Sequence, residues 1–197
     1  MSLLEEIALE HVPASHRVCL GLFRDVANAG FLQSQLLARN GDFEYAFIDA
    51  SSVLSRLHLL TAVYKALTVL LDGTLKTPNV HSEIVCALSA SNNISEAYRR
   101  WGITDATKDV VIVKVLFPTE TRPATPSARE VYAHLIEVVQ GSPVPLTDEA
   151  LAECTDWAKV RKYYKLNNAP TLDGRDDASK VKEMGLLAIG AMALRGL

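Results

Sequence analysis

The sequence predicts an α+β fold in which helices pack against a small, largely antiparallel sheet. Short runs that are rich in β-branched and large apolar residues are few, whereas segments with helical apolar spacing are many. The two kinds of segment do not alternate in the regular order of a doubly wound sheet. The 197 residues, 49% of them apolar and 22% charged, suffice for a single folded domain that spans 1–197.

The first third of the chain is predicted to contain two strands and two helices. A buried strand over 17–23 precedes a helix over 29–39, and a shorter strand covers 45–49. Ser51 and Ser52 follow directly, and serine side chains often cap helix N-termini. They therefore predict the start of a second, longer helix.

This second helix is predicted to end at about Leu71 and to be amphipathic. Apolar residues at i, i+3, i+7, i+10 and i+14 predict a buried face that consists of Leu57, Leu60, Tyr64, Leu67 and Leu71. Polar residues repeat this spacing one position later and predict a solvated face that consists of His58, Thr61, Lys65, Thr68 and Asp72.

The middle of the chain is predicted to hold two short helices and the strongest strand. The helices cover 83–88 and 95–101, with a polar loop over 89–93 between them. The β-branched run over 110–117 predicts a central strand. The segment 118–126 follows with three prolines and no core residues, which predicts a mobile loop.

The last third is predicted to be mainly helical. A helix covers 127–139, and Val144 between two prolines predicts an edge strand. Thr147 is suited to cap a further helical stretch, and helical spacing returns over 157–166. The chain closes with a predicted helix and tail over 178–197.

Charge and cysteine usage exclude several classes of protein. Twenty basic against 23 acidic residues give a net charge of −3, so any contact with nucleic acid must be local. The three cysteines lie among apolar residues without a CxxC pair, which argues against disulfides and zinc. The first residues do not form a secretory signal, and no apolar run has the length and purity of a membrane span.

Motifs that carry chemistry are absent from the sequence. There is no phosphate-binding, dinucleotide-binding, nucleophile-elbow or metalloprotease motif. The five histidines are dispersed, and His81-Ser82-Glu83 is not a triad because catalytic triads are assembled from distant parts of a fold. The sequence therefore predicts no catalytic residues, no metal site and no cofactor.

Two unusual features remain, and each has two interpretations. Within 159–165, two tyrosines lie among four basic residues: Lys159, Arg161, Lys162, Tyr163, Tyr164 and Lys165. The tyrosines either stack on a base or a partner, or they belong to the core beside a solvated basic face. The run 184–194 is apolar on every side of its helix. It is either completely buried in this domain or half covered by a partner protein.

Several motifs occur together in one order along the chain: Lys76-Thr77, Ser82-Glu83-Ile84, LSASNNISEA over 88–97, and Gly102-Ile103. With VCLGLFRDVANA over 18–29, Phe47-Ile48-Asp49, VRKYYKL over 160–166 and the ending 194–197, they resemble the PRPK-binding protein family, the kinase-binding small subunit of the KEOPS (EKC) complex, in its fungal members. The departures are Ala90 in place of the family's usual proline, Pro78, and a longer 118–126 segment, and they concern loop geometry only.

The resemblance implies a non-catalytic subunit of the complex that makes N6-threonylcarbamoyladenosine in tRNA. In the family this subunit docks on the N-lobe of a small atypical kinase/ATPase, stimulates it, reaches the other subunits through it, and helps to recruit tRNA by its 3′ CCA end. Members occur in the nucleus and the cytoplasm and have links to telomere maintenance and transcription. No membrane contact is implied.

The resemblance also implies where the partners bind. The C-terminal helix is the family's kinase-facing element, so the expected kinase-binding residues are Leu186, Leu187, Ile189, Ala191 and Leu194. The basic residues nearest to the shared motifs are the candidates for RNA binding: Lys65, Lys76, Arg99 and Arg100. Two alternatives stay open, which are a general protein adaptor without RNA contact and a small-molecule enzyme with a pocket of convergent polar groups.

Overall fold

The computed structural model describes residues 3–119, 123–172 and 177–195. Over these ranges the strands form one antiparallel sheet, in which the order is β1-β2-β4-β3 and β5 extends the β1 edge of β2. The strands are β1 (Glu5–Ile7), β2 (Arg17–Arg24), β3 (Ala46–Asp49), β4 (Val110–Leu116) and β5 (Ser142–Val144). The predicted α+β class is confirmed, and β4 lies between β2 and β3 as expected of its β-branched run.

Helices cover both faces of this sheet. They are α1 (Ala29–Leu37), α2 (Arg56–Leu71), α3 (Val80–Ala87), α4 (Ile94–Trp101), α5 (Ala128–Val138), α6 (Asp148–Cys154), α7 (Trp157–Tyr163) and α8 (Asp177–Ala193). The described part of the 118–126 segment forms neither helix nor strand, and the rest of it, 120–122, lies outside the described residues. Its predicted mobility stays a prediction.

Side-chain caps fix where most helices begin. Ser127, Thr147 and Asn93 accept hydrogen bonds from the first turns of α5, α6 and α4. The prediction that Ser51 and Ser52 cap α2 is wrong. Both lie in a 3-10 turn, where their hydroxyls donate to Asp49 at 2.7 Å. The cap of α2 is Ser55, whose hydroxyl accepts the amide of His58 at 3.1 Å.

The alternation of side chains along the strands creates two apolar layers. Val18, Leu20 and Leu22 of β2 point to the larger layer, which α2, α3, α4, α6, α7 and α8 cover. Cys19 and Phe23 of the same strand point to the smaller layer beneath α1 and α5. The α2–α8 side and the α1–α5 side of the molecule are therefore separated by the sheet.

The predicted buried face of α2 is wrong for three of its five residues, while Leu60 packs half-buried against the core. Leu57 is 61% exposed, and Tyr64 and Leu71 are also exposed, although Leu67 is buried. The residues that point inward are His58, Leu59, Ala62, Val63, Ala66 and Leu67. Small side chains such as Ala62 and Ala66 allow α2 to lie close to its neighbours, while Leu59, Val63 and Leu67 fill the core beside them.

His58 is buried because hydrogen bonds satisfy both of its ring nitrogens. Its Nδ1 accepts the amide of Leu54 at 3.2 Å, so its Nε2 carries the proton and donates to the Tyr164 hydroxyl at 2.7 Å. Tyr164 donates in turn to the carbonyl of Leu88. This chain joins α2, the end of α7 and the end of α3, and burial lowers the pKa of His58 to about 4.

His81 has a structural role of the same kind. The strand β3 pairs with β4 only as far as Val113, and the Nε2 of His81 accepts the free amide of Val115 at 3.0 Å. Burial, followed by the charge of Lys114, lowers the pKa of His81 well below its ordinary value. Glu83 is engaged separately by the Thr77 hydroxyl at 2.8 Å, so His81-Ser82-Glu83 does not form a triad.

Candidate functional site

The C-terminal helix α8 has one side in the core. Met184, Ala188 and Met192 recur at i, i+4 and i+8 and are buried. Leu187 and Ala191 are half-buried and pack against the same layer. Of the expected kinase-binding residues, these last two therefore point partly into the domain.

The opposite side of α8 is apolar and open. Leu186 and Leu194 are 56% and 66% exposed, and Ile189 is half-buried. A side chain placed at Gly185 or Gly190 would meet nothing within 4 Å, so the helix backbone is accessible there. Complete burial of α8 in this domain is excluded, because three of the five expected residues lie on or beside this open side.

The outward stripe of α2 adds apolar surface in the same layer. Leu57, Tyr64 and Leu71 are seven residues apart, so they form a line along the helix. The helices α2 and α8 pack against each other. We call the exposed residues Leu57, Tyr64, Leu71, Leu186 and Leu194 the α2–α8 surface. Exposed large apolar residues gathered on neighbouring elements are typical of protein-binding surfaces.

Lys65 and Arg195 fix the end of α8. The ammonium of Lys65 donates to the carbonyls of Met192 at 2.6 Å and Arg195 at 3.2 Å, where a cation meets the negative end of the helix. Arg195 reaches across to the end of α3, where it donates to the carbonyl of Cys86, and to the side chain of Asn92 at 3.1 Å. The expected RNA-binding residue Lys65 thus has a structural role in this chain.

Lys65, Lys76 and Arg195 lie near one another. Partial burial lowers the pKa of Lys65, and the positive charges of Arg195 and Lys76 lower it further. Lys76 itself is exposed. A local positive patch therefore lies beside the 89–93 loop, in a protein that has no overall positive charge.

The two arginines of α4 differ in what they contact. Arg99 is exposed, and its closest carboxylate oxygen, on Glu96, is 3.9 Å away. Arg100 forms a close ion pair with Glu96, donates to the carbonyl of Tyr163 at 3.2 Å, and lies over the ring of Tyr163. Lys76 and Arg99 are thus accessible to a ligand, whereas Lys65 and Arg100 hold parts of the fold together.

The 89–93 loop is shaped by its own side chains. The hydroxyl of Ser89 accepts the amide of Ser91 at 3.0 Å, and Asn93 caps α4 by accepting the amide of Glu96 at 3.0 Å. Arg195 contacts this loop through Asn92. Sequence reasoning missed Arg195 as a site residue, and the only signal for it was the shared C-terminal ending.

The basic run near residue 160 is largely structural. Lys159 forms an ion pair with Asp49 at 2.5 Å and donates to Ser51 at 2.7 Å. Tyr164 is buried, and Tyr163 packs against Trp101 and Arg100. The interpretation of core tyrosines beside a partly solvated basic face is therefore supported.

A cavity of about 630 Å³ lies between β1 and α6. Its lining includes Glu5 and Arg56, which form a bidentate ion pair at 2.7 and 2.9 Å. Asp148 in the same wall accepts the amide of Arg56 at 2.7 Å. These groups bind one another, which gives no support to a substrate site there.

The described part of the chain contains neither a cluster of metal ligands nor a membrane-spanning helix. Three or more potential metal ligands never come together in this part of the chain. Its helices also include none with the length and hydropathy that crossing a bilayer requires.

Comparison with known proteins identifies relatives over the full chain. The chain is 56% identical over 195 residues to the EKC/KEOPS complex subunit CGI121 of Gibberella zeae, which covers 98% of this chain and 99% of that protein. It is 52% identical over 205 residues to the corresponding subunit of Neurospora crassa, with 98% and 99% covered. For the subunit of Aspergillus fumigatus the identity is 49% over 193 residues, with 98% and 97% covered.

The family description kinase binding protein CGI-121 matches residues 23–196. This range includes β3, β4, β5, all the helices described above, and both patches of the candidate site. The resemblance found in the sequence is thereby confirmed, and the chain belongs to the CGI-121 family of kinase-binding proteins.

Proposed function

We propose that this protein is a non-catalytic subunit of an EKC/KEOPS complex that binds and stimulates the atypical kinase/ATPase subunit. The single observation that carries the proposal is the α2–α8 surface, an exposed apolar area in a member of a kinase-binding family. Such a surface gains free energy when a partner covers it. Other subunits of the complex are reached through the kinase, and the complex forms N6-threonylcarbamoyladenosine in tRNA.

Calorimetric titration of the protein into its purified cognate kinase tests this surface. Leu186→Glu places a charge within the α2–α8 surface while leaving the core side of α8 intact. We expect at least a 30-fold rise in Kd, because a buried unpaired carboxylate costs about 2 kcal/mol or more. Circular dichroism should show an unchanged fold.

The matched control is Leu37→Glu. Leu37 is 79% exposed on α1, on the other side of the sheet, and the substitution has the same chemistry. Its Kd should equal that of the wild type. Equal Kd values for Leu186→Glu and the wild type would remove the α2–α8 surface from the proposal. Leu187→Glu is a poorer test, because Leu187 packs partly against the core. This substitution would lower the stability of the fold as well as the affinity for the kinase.

We further propose that the positive patch contributes to holding the 3′ CCA end of tRNA. A single-stranded end needs only a few phosphate contacts and stacking surfaces, which a mildly acidic protein can supply locally. Lys76 and Arg99 are the accessible candidates. Lys65 of the patch and Arg100 of α4 are secondary candidates, since their charged groups already bind within the fold.

Fluorescence anisotropy with a CCA-ended tRNA acceptor stem tests the RNA proposal. Lys76→Glu and Arg99→Glu should each weaken binding about 5- to 10-fold and lower its salt dependence. Lys108→Glu is the control, because Lys108 is exposed and the charge change is identical. If Lys76→Glu and Arg99→Glu bind RNA like the wild type, the positive patch does not hold the RNA. If the wild type binds none, the protein is an adaptor without RNA contact.

The cellular setting is proposed on the family resemblance alone. The protein is expected in both the nucleus and the cytoplasm, with additional roles in telomere maintenance and transcription. Fluorescent tagging of the endogenous protein would test the first expectation. Telomere length in cells that carry Leu186→Glu would test whether such a role depends on kinase binding.

A further inference from the structure

Three serine or threonine residues in this chain directly precede a proline: Thr77, Thr125 and Ser142. Proline-directed protein kinases require this dipeptide. They also require a hydroxyl that reaches their catalytic cleft and a backbone that is free to enter it. The three positions differ in burial and in backbone pairing within the fold. The structure therefore distinguishes among sites that the sequence alone cannot separate.

Two of the three positions are protected. Thr77 is 8% exposed, and its hydroxyl lies 2.8 Å from the buried carboxylate of Glu83. Ser142 is exposed, but its backbone belongs to β5 and pairs with Arg24 of β2. A kinase would have to unfold the region around Thr77 or pull β5 away from the sheet.

Thr125 is half-buried, and of the three it is the position whose backbone pairs with no strand and whose hydroxyl binds no buried carboxylate. The described residues beside it, 123–127, belong to no helix or strand, and both Pro123 and Pro126 are exposed. Proline at 126 disfavours helical backbone at Thr125 and keeps it extended. The function proposed above makes no use of this segment.

A cationic side chain that could bind a phosphate on Thr125 already contacts this residue. The guanidinium of Arg17, at the start of β2, donates to the Thr125 hydroxyl at 3.3 Å, although 108 residues separate the two in sequence. Arg17 also pairs with Glu6 at 2.9 Å. A phosphate carries close to two negative charges and three acceptor oxygens, so it competes strongly with a single carboxylate for this arginine.

We propose that Thr125 is a phosphorylation site for a proline-directed protein kinase and that Arg17 binds the resulting phosphothreonine. In this step the Thr125 hydroxyl oxygen forms a bond to the γ-phosphorus of ATP, the bond from that phosphorus to the β,γ-bridging oxygen breaks, and ADP leaves. The hydroxyl proton passes to the base of the modifying kinase. The proline-directed kinase would act on the side of the sheet opposite to the α2–α8 surface. The proposal therefore does not depend on binding of the kinase subunit of the complex.

Incubation of the full chain with a purified proline-directed kinase and ATP, followed by intact-mass spectrometry and fragmentation, tests the site. We expect about one phosphate per wild-type chain, assigned to Thr125, and at least a tenfold loss of incorporation in Thr125→Ala. Thr77 and Ser142 serve as internal controls and should stay unmodified while the protein is folded. Undiminished incorporation in Thr125→Ala, or no incorporation into the wild type, would overturn the proposal.

A phosphorus-31 NMR titration of the phosphorylated protein tests the role of Arg17. Pairing with a guanidinium favours the dianion, so the second pKa of the phosphothreonine should lie below its ordinary value of about 6. In phosphorylated Arg17→Gln the midpoint should return toward that value. Equal midpoints in the two proteins would show that Arg17 does not bind the phosphate.

Discussion

The inner and outer sides of α2 both carry large apolar residues, but only those of the inner side are covered by the domain. The inner side carries two leucines, a valine, two alanines and a histidine, all buried, whereas the outer side carries two leucines and a tyrosine in an exposed line. Close packing explains the inner side, since Ala62 and Ala66 let neighbouring elements approach. The outer line has no such explanation within the domain. Large apolar residues at helical spacing can thus mark a surface for a partner as well as a core.

The largest effect that we predict concerns two buried histidines, His58 on the inner side of α2 and His81 on α3. Folded His58 and His81 stay neutral below pH 6.5, because burial lowers the pKa of both. Unfolded histidines bind protons there, so the free energy of unfolding should fall as the pH decreases from 6.5 toward 4. The two together give a slope of about 3 kcal/mol per pH unit, measured by urea unfolding between pH 6 and pH 4.5.

His58→Gln supplies the control for this slope, because glutamine cannot titrate. Half of the histidine contribution, about 1.4 kcal/mol per pH unit, should disappear in this variant. Carboxylates contribute equally to both proteins, so the difference isolates His58. Identical slopes would mean that His58 is protonated in the folded protein, which contradicts its acceptor role toward Leu54.

A pair of substitutions on α2 tests the contrast between its two sides directly. Ala62→Leu adds volume to a closely packed contact and should lower the free energy of unfolding by about 2 kcal/mol. Leu57→Gln changes an exposed side chain and should lower it by less than about 0.5 kcal/mol, while it weakens kinase binding. Urea unfolding and the kinase titration measure both quantities. Equal destabilisation by the two variants would mean that Leu57 is part of the core.

The smallest predicted effect concerns the attachment of α8 to α2. Lys65→Met removes the ammonium that binds the last carbonyls of α8 and should cost about 1 kcal/mol of stability. Lys76→Met, nearby but with an exposed side chain, should cost nothing measurable. If Lys65→Met left the unfolding midpoint unchanged, Lys65 would be free to serve as an RNA ligand.

Much of the fold was predictable because it depends on local signals. The β-branched run of β4 predicts a central strand, and Thr147 predicts the start of α6. The start of α2 was not predictable from the preference for serine at helix N-termini, because three serines precede the helix: Ser51, Ser52 and Ser55. Asp49 binds the hydroxyls of Ser51 and Ser52, so the cap passes to Ser55. Which serine caps a helix depends on what the preceding strand offers.

The candidate site was predictable in kind but not in detail. Apolar spacing identified both α2 and α8, yet the inward side of each was set by which elements pack beneath it. Basic residues near the shared motifs suggested an RNA patch, but Lys65 and Arg100 are held by carbonyls far away in sequence. Arg195 joins this patch only because α8 ends beside the 89–93 loop.

The sequence by itself determined the α+β class, most helix and strand positions, the absence of the common catalytic motifs, and the family. These properties depend on residue periodicity and on motifs in a fixed order along the chain. Only the tertiary structure decided which apolar stripes are covered, which basic groups are already bound, and which threonine before a proline has a hydroxyl that binds no buried carboxylate. Such properties depend on contacts between residues up to 130 positions apart, and no local pattern encodes them.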